Sequence, residues 1–245
     1  MNKLHKLRRP RIVLRKVKSV LRRMRRVVAK SVRLFVLRVA LALYRFESIR
    51  TGQVRWHQHM LLFGWGNRDM RASPAYLVAV VEACRGVDGP VLEAGSGVTT
   101  IAAAAALYDR SIALLSLEQD MHWADRGKWA VRRFTNCHIL AVPIVEWGTF
   151  SWYESEVSNI APRDIQLVIC DGPPGSTEGG RYGLLPVMRR HLAPGALILL
   201  DDAGRRGEQR VLERWSEEFD ATYDIVDVDR AFARIRLPKD SACSE

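Results

Sequence analysis

Residues 91–100 read V-L-E-A-G-S-G-V-T-T: an apolar run closed by an acid, a turn carrying two glycines, and the opening of an alanine-rich segment from Val98 to Leu107. This pattern predicts a strand, a tight turn and a helix. Glycines at 95 and 97 carry no Cβ, so the backbone can approach a ligand closely, and a helix starting at Val98 directs its unpaired N–H groups to the same place. Such a turn suits a nucleotide-like cofactor and contributes no catalytic side chain. Thr100 stands where the dinucleotide pattern G-x-G-x-x-G/A needs a third small residue, so that pattern is not met.

Three further strand-and-acid units lie outward from this stretch. Ser111–Leu117 is an apolar run followed by Glu118, 25 residues after Glu93. Ile165–Cys170 is followed by Asp171-Gly172-Pro173-Pro174-Gly175, and residues 192–202 read L-A-P-G-A-L-I-L-L-D-D. In order and spacing, over about 145 residues, these four units resemble the class I S-adenosylmethionine-dependent methyltransferases, whose first motif is the E-x-G-x-G turn. The resemblance implies S-adenosylmethionine as cofactor. It implies that Glu93 holds the cofactor's amino acid end directly or through water, that Gly95 and Gly97 let the chain pass close to it, and that Glu118 accepts both ribose hydroxyls.

The architecture expected is α/β: a doubly wound, mostly parallel, seven-stranded Rossmann-like sheet. Strands near 90–93, 112–117, 138–142, 165–170 and 196–201 alternate with helical stretches near 98–107, 122–133, 181–192 and 207–218, the signature of a parallel sheet covered on both faces. Ser73-Pro74 reads as an N-cap and first helical residue of a helix ending near Arg85. Ala221–Val228 and Ala231–Leu237, joined at Asp229-Arg230, are expected to close the chain as an antiparallel hairpin. Folds of this type bind ligands beyond the carboxyl ends of the strands, where Glu93, Glu118, Asp171 and Asp201 all fall.

Asp171 is the candidate catalytic residue. In the small-molecule O-methyltransferase branch of the family a divalent metal is held by an Asp after the fourth strand and an Asp-Asn or Asp-Asp pair after the fifth, and Asp171, Asp201 and Asp202 occupy those positions. Three oxygen ligands suit magnesium, which lowers the pKa of an acceptor hydroxyl. That branch carries a lysine after the first Asp, whereas here Pro173-Pro174-Gly175-Ser176 follows. The alternative is Asp171 as a metal-free general base or substrate-positioning acid. The same loop lacks the aromatic of the [D/N]-P-P-[aromatic] run of amino-group nucleic-acid methyltransferases, which favours an oxygen acceptor over a nucleobase nitrogen. Arg181, after Gly179-Gly180, is read either as a clamp for an anionic acceptor or as a solvated helix start. Trp147, Trp152 and Tyr153 after the third strand, and Trp56 and Trp65 before the domain, read mainly as core, with a sugar- or lipid-pocket lining as the alternative for some.

Charge divides the chain. Residues 1–45 hold 16 of the 38 Lys and Arg and none of the 27 Asp and Glu, so the net charge of +11 combines a basic tail with a mildly acidic body. Leu14, Val17, Leu21, Met24, Val28 and Phe35 recur at helical spacing among the arginines. This predicts a basic amphipathic helix, and Arg33 and Arg38 keep the apolar stretch too short to span a bilayer. The domains expected are therefore residues 1–45 as a segment lying on an anionic membrane surface, 46–72 as a connector, and 73–245 as the methyltransferase-like domain. An RNA-binding arm, a transit peptide or a solvated tail would share this composition.

Cys84, Cys137, Cys170 and Cys243 are scattered with no C-x-x-C pair, and His57 and His59 lack further ligands at metal spacing. The cysteine pattern favours a reducing compartment, so the expected location is the cytoplasm, peripheral to a membrane. The function expected is methylation, most naturally O-methylation, of a small-molecule, glycan or lipid-linked acceptor near that membrane. Its rivals are a non-catalytic membrane-associated scaffold, a nucleic-acid methyltransferase, and a related fold used for aminopropyl transfer or redox chemistry.

Overall fold

The structure, a computed structural model, describes residues 8–66 and 72–239, with side chains from residue 21 onward except Ser158. Cys243 and the end of the domain lie outside the described residues, as do the side chains of Leu14 and Val17. The described residues open with a 36-residue helix, α1 (Arg8–Leu43), followed by α2 (Glu47–Arg50), α3 (Arg55–Trp65) and α4 (Pro74–Arg85). Then come β1 (Val91–Ala94), α5 (Val98–Tyr108), β2 (Leu114–Glu118), α6 (Met121–Val131) and β3 (Cys137–Ala141). A two-stranded hairpin of β4 (Ile144–Glu146) and β5 (Ser151–Tyr153), and α7 (Val157–Ile160), lead to β6 (Ile165–Cys170). The chain closes with α8 (Leu184–Met188), β7 (Leu192–Leu200), α9 (Arg206–Phe219), β8 (Thr222–Val226) and β9 (Phe232–Arg236).

The seven-stranded sheet has the order β3-β2-β1-β6-β7-β9-β8, parallel except for β9, which is antiparallel to both β7 and β8. The expected sheet and closing hairpin are present. Strand side chains alternate between two apolar layers: Val91, Leu114, Leu167 and Ile169 face one, Leu92, Leu115, Val168 and Cys170 the other. Burial on both faces explains why these strands read as continuous apolar runs. In β7, Leu192 pairs opposite Ile165 and Leu197 opposite Leu167, so Pro194-Gly195 is accommodated as a bulge, with Gly195 at φ +72°. Ser73 caps α4 as expected, its Oγ accepting the Tyr76 N–H at 3.1 Å.

Two expectations need correction. The packed body begins well before residue 73. Leu37, Ala40, Leu41 and Tyr44 at the end of α1 are buried with Leu61, Leu62 and Trp65 of α3 in the same apolar layer as α4 and α5. A Cβ on Gly64 would lie 2.6 Å from Leu37 N, so glycine permits this close helix contact. The His57 ring donates from Nε2 to Ala40 O at 2.8 Å, which makes it a buried structural histidine. The 46–72 stretch is thus packed structure where it is described, and the tail ends in the core. The second correction concerns 181–192, where the helix opens only at Leu184 and Arg181 sits in the preceding turn, 2% exposed.

Residues 21–35 are exposed throughout. No helix among the described residues is long and apolar enough to cross a membrane.

Candidate functional site

The strand order reverses between β1 and β6, and there, beyond the carboxyl ends of the strands, lies a cavity of about 570 Å³. This is the ligand position of doubly wound sheets, and the volume suits a small-molecule ligand. Its walls come from the loop after β1 (Gly95–Val98), the end of β2 and start of α6 (Glu118–Asp120, Trp123), the loop after β6 and the residues after β7.

The two glycines have different tasks. Gly95 adopts φ +86°, and a Cβ there would lie 2.7 Å from Gly172 N, so the loops after β1 and β6 cross backbone to backbone. Gly97 would meet nothing within 4 Å, its Cβ direction being open space on the cavity wall. A side chain at 97 would occupy the room a ligand needs. The loop's own N–H groups are already engaged: Gly95 N donates to Leu117 O at 2.8 Å, Ser96 N to Glu118 Oε2 at 2.8 Å and Gly97 N to Thr100 Oγ1 at 2.8 Å. Thr100, the departure from the dinucleotide pattern, thus acts as a clip on the turn.

Glu118 lines the cavity, with Oε2 accepting from both Ser96 N and Oγ and Oε1 from Asp120 N at 2.9 Å. These bonds hold the carboxylate at the end of β2. Asp120 in turn caps α6 through the N–H groups of His122 and Trp123. Glu93 is fully buried beneath the first turn of α5 and is not part of the cavity wall. Its Oε1 accepts from Thr99 Oγ1 and its Oε2 from Ser116 Oγ, both at 2.6 Å. Burial pushes its carboxyl up to about 7, against the opposing pull of these hydroxyls.

An aromatic wall completes this half. Trp65 of α3 and Trp123 of α6 both line the cavity with ring centroids 5.8 Å apart, and the Arg126 guanidinium lies 4.0 Å and 4.8 Å from the two centroids. The sequence offers Trp65 among candidate pocket-lining aromatics but does not pair it with Trp123, since 58 positions separate the two tryptophans and no motif links them. Trp152 and Tyr153, by contrast, are buried core as expected.

At the ends of β6 and β7, Asp171, Asp201 and Asp202 present carboxylate oxygens within 4.8 Å of one another. Their convergence was readable, because β6 and β7 are neighbours. Arg181 is set among them. Its Nη2 lies 2.8 Å from Asp171 O, 3.3 Å from Asp171 Oδ1 and 3.5 Å from Asp202 Oδ2, and its Nη1 donates to Asp201 O and lies 3.9 Å from Glu208 Oε1. Arg205 Nη1 approaches Asp202 Oδ2 at 3.0 Å, and Arg230 lies 3.4 Å from Asp202 and 3.7 Å from Asp201. Burial and the Asp201 charge raise the Asp171 carboxyl well above the ordinary range, while Arg181 opposes them. Burial and the Asp202 charge likewise raise Asp201.

The three aspartates therefore come together as expected, but the set does not fit magnesium. Two of the three already lie within 3.5 Å of the buried Arg181 guanidinium. Arg205 and Arg230 add two further guanidiniums, so a divalent ion would have to displace cations already paired with these carboxylates. Arg181 is neither a solvated helix start nor free to clamp an incoming anion.

No family model and no curated protein matches the chain. Solved structures do. The SAH-bound methyltransferase PaMTH1 of Podospora anserina superposes with a TM-score of 0.53 at 13% identity, covering 82% of this chain and 87% of that one. An O-methyltransferase of Bacillus cereus in complex with SAH gives 0.53 at 13% identity over 82% and 99% of the two chains. Precorrin-6y C5,15-methyltransferase of Geobacter metallireducens gives 0.51 at 13% over 71% and 92%. The chain has the fold of the class I S-adenosylmethionine-dependent methyltransferases. Open space at Gly97 and a cavity-lining carboxylate at Glu118 fit the cofactor that two of these structures hold in its demethylated form.

Proposed function

We propose that this chain is an S-adenosylmethionine-dependent methyltransferase acting on an acceptor oxygen, with Asp171 as general base. One observation carries the reading: a single cavity has a glycine-lined cradle with Glu118 on one side and Asp171 on the other. Gly97 leaves room for the cofactor, Glu118 accepts its ribose hydroxyls beside the bonds it already receives, and Trp65 and Trp123 offer an apolar wall to its base. Glu93 acts from beneath, holding Thr99 and Ser116 and so the first turn of α5. The bound cofactor supplies a methyl group on a sulfonium, already activated for in-line displacement. With cofactor and acceptor bound, Asp171 would take the proton of the acceptor hydroxyl, and its raised affinity for protons suits it to that task. Calorimetric titration of the full chain with S-adenosylmethionine, its demethylated product and NAD tests the assignment. Tight binding of the first two and none of NAD is expected. Failure of all three would leave the non-catalytic scaffold as the better description.

The acceptor we propose is a small-molecule, glycan or lipid-linked compound at an anionic membrane surface. Leu21, Met24, Val28 and Phe35, exposed by 51, 59, 61 and 67%, form one apolar stripe of α1 in a segment with no acidic residue. A basic helix with an exposed apolar stripe is complementary to anionic lipid. Because Leu37–Tyr44 is core, the segment to remove is 1–30 rather than 1–45. That deletion is expected to release the protein from anionic liposomes while leaving cofactor affinity unchanged, and added salt is expected to weaken attachment of the full chain. If the segment binds RNA and ignores liposomes, the membrane is the wrong partner.

A further inference from the structure

We propose that the Arg181 guanidinium is the resident cation of the Asp171, Asp201 and Asp202 cluster, standing where a divalent ion would bind, and that it positions Asp171. Three carboxylates whose oxygens lie within 4.8 Å of one another need a positive charge at their centre. Arg181 provides it from inside the fold. The chain is turned inward just before it by Gly179 and Gly180, at φ +74° and +57°, and a Cβ on Gly179 would lie 2.6 Å from Phe150 Cβ. Just after it, Tyr182 is anchored by the Trp215 Nε1 donor on its carbonyl at 2.9 Å. Held at both ends, the side chain is 2% exposed and borders the cavity.

A guanidinium does here what a metal ion does not. Its fork of fixed donors reaches the main-chain carbonyls of Asp171 and Asp201 as well as the Asp171 and Asp202 carboxylates, so the ends of β6 and β7 are tied together through one side chain. The Asp171 carboxylate is held by the same Nη2 that binds its carbonyl. On the opposite side, Asp201 Oδ2 and Asp202 Oδ1 are buried without a hydrogen-bond partner, and Arg230, from the turn between β8 and β9, is the cation that faces both at 3.7 and 3.4 Å. Glu208, from α9, completes the set behind Arg181. With four acids and three arginines the cluster is close to neutral and leaves no charge deficit for a divalent ion.

The first readout is metal uptake without cofactor or acceptor, so its outcome is independent of methyl transfer; the pH–rate readout rests on the proposed function. Mn²⁺ is titrated into the full chain and free ion is followed by its paramagnetic resonance. The wild type is expected to bind no equivalent of Mn²⁺ at micromolar concentration. Arg181→Met, which uncovers the three carboxylates, is expected to gain one site at least tenfold tighter than anything in the wild type, with a rise in melting temperature on adding Mn²⁺. If that variant does not fold alone, refolding in Mn²⁺ is the equivalent readout. Arg181→Lys, which keeps the charge, is expected to bind no Mn²⁺. It is also expected to keep the ascending limb of the pH–rate profile near that of the wild type, whereas in Arg181→Met that limb moves to higher pH. Uptake of one Mn²⁺ by the wild type that is lost in Asp202→Asn would overturn the proposal, as would an Arg181→Met chain that neither binds Mn²⁺ nor is refolded by it.

Discussion

The two halves of the cavity satisfy their buried charge in different ways. Around β1 and β2, each carboxylate is held by neighbours on the same or the adjacent strand and turn: Glu93 by Thr99 and Ser116, Glu118 by Ser96 and the Asp120 N–H. None of these side chains keeps a buried polar atom without a partner. Around β6 and β7, charge is balanced by ions from distant segments, and Arg181 Nε, Asp201 Oδ2, Asp202 Oδ1 and Glu208 Oε2 lack hydrogen-bond partners. Hydrogen bonds offset part of the cost of burying Glu93, whose carboxyl is still raised, whereas the buried ions of the second half lack such bonds and are balanced by one another's charge. On the proposed function, the first half is the rigid cradle and the second the place of chemistry.

The largest effect that would break this contrast is at Gly95. Gly95→Val puts a branched Cβ at a positive φ and 2.7 Å from the Gly172 backbone, where neither strand end can yield. A loss of roughly 3 to 5 kcal/mol is expected, read as a lowered urea midpoint. Gly97→Val meets no protein atom, so it is expected to unfold within about 0.5 kcal/mol of the wild type while abolishing S-adenosylmethionine binding. Equal destabilisation by both variants would remove the distinction between a packing glycine and a ligand glycine.

Asp171→Asn addresses the second half. It is expected to lower kcat about a hundred- to ten-thousandfold with cofactor affinity unchanged, as loss of a general base would. Because burial and Asp201 raise this carboxyl, the wild-type rate is expected to climb with pH through a range above the ordinary 3.8. A flat profile down to pH 4 would assign Asp171 a positioning role only.

Much of the first half was legible because most of its residues sit in one motif. The glycines and Glu93 follow from the strand-turn-helix pattern of residues 91–100 and Glu118 from the next strand-and-acid unit and the family resemblance, although burial of Glu93 depended on which face of a four-residue strand it takes. The convergence of Asp171, Asp201 and Asp202 followed from strands β6 and β7 being adjacent. Arg181 was not legible. A lone arginine after two glycines looks like a loop cation, and only the inward turn at Gly179-Gly180 puts it among four acids. Arg205, Arg230 and Glu208 come from a helix start, a hairpin turn and a helix face, with no spacing to connect them. The end of α1 was illegible for a different reason: Leu37, Ala40, Leu41 and Tyr44 recur at helical spacing on the face opposite the Leu21 to Phe35 stripe, and spacing does not say whether a lipid surface or α3 covers such a face.

Between the two halves stands Glu118, which is bonded like the first and faces the ligand like the second. Glu118→Ala is expected to weaken S-adenosylmethionine binding by about 1.5 to 3 kcal/mol in calorimetry, since it removes a charged acceptor from the ribose hydroxyls and leaves Ser96 N without its partner. Unchanged affinity would detach the first half from the cofactor.

The smallest expected effect sharpens the account of Glu93. Its carboxyl is raised from 4.5 to about 7 in the folded chain, so the folded state binds its proton more tightly than the unfolded state does. The stability this group contributes is therefore complete below about 4.5 and is lost as pH rises through about 7. One proton gives a slope of at most about 1.4 kcal/mol per pH unit. Asp171, Asp201 and Glu208, also raised, add slopes of the same sign, so the total pH dependence does not identify Glu93. Glu93→Gln does: it keeps one carbonyl acceptor, removes the titrating proton, and leaves the other carboxyls in place. The difference between the two urea-unfolding curves, followed from pH 4.5 to 7.5, is expected to favour the variant progressively as pH rises. A difference that stays constant across that window would mean that Thr99 and Ser116 hold Glu93 ionised at every pH, and that even the buried acid of the cradle carries no proton.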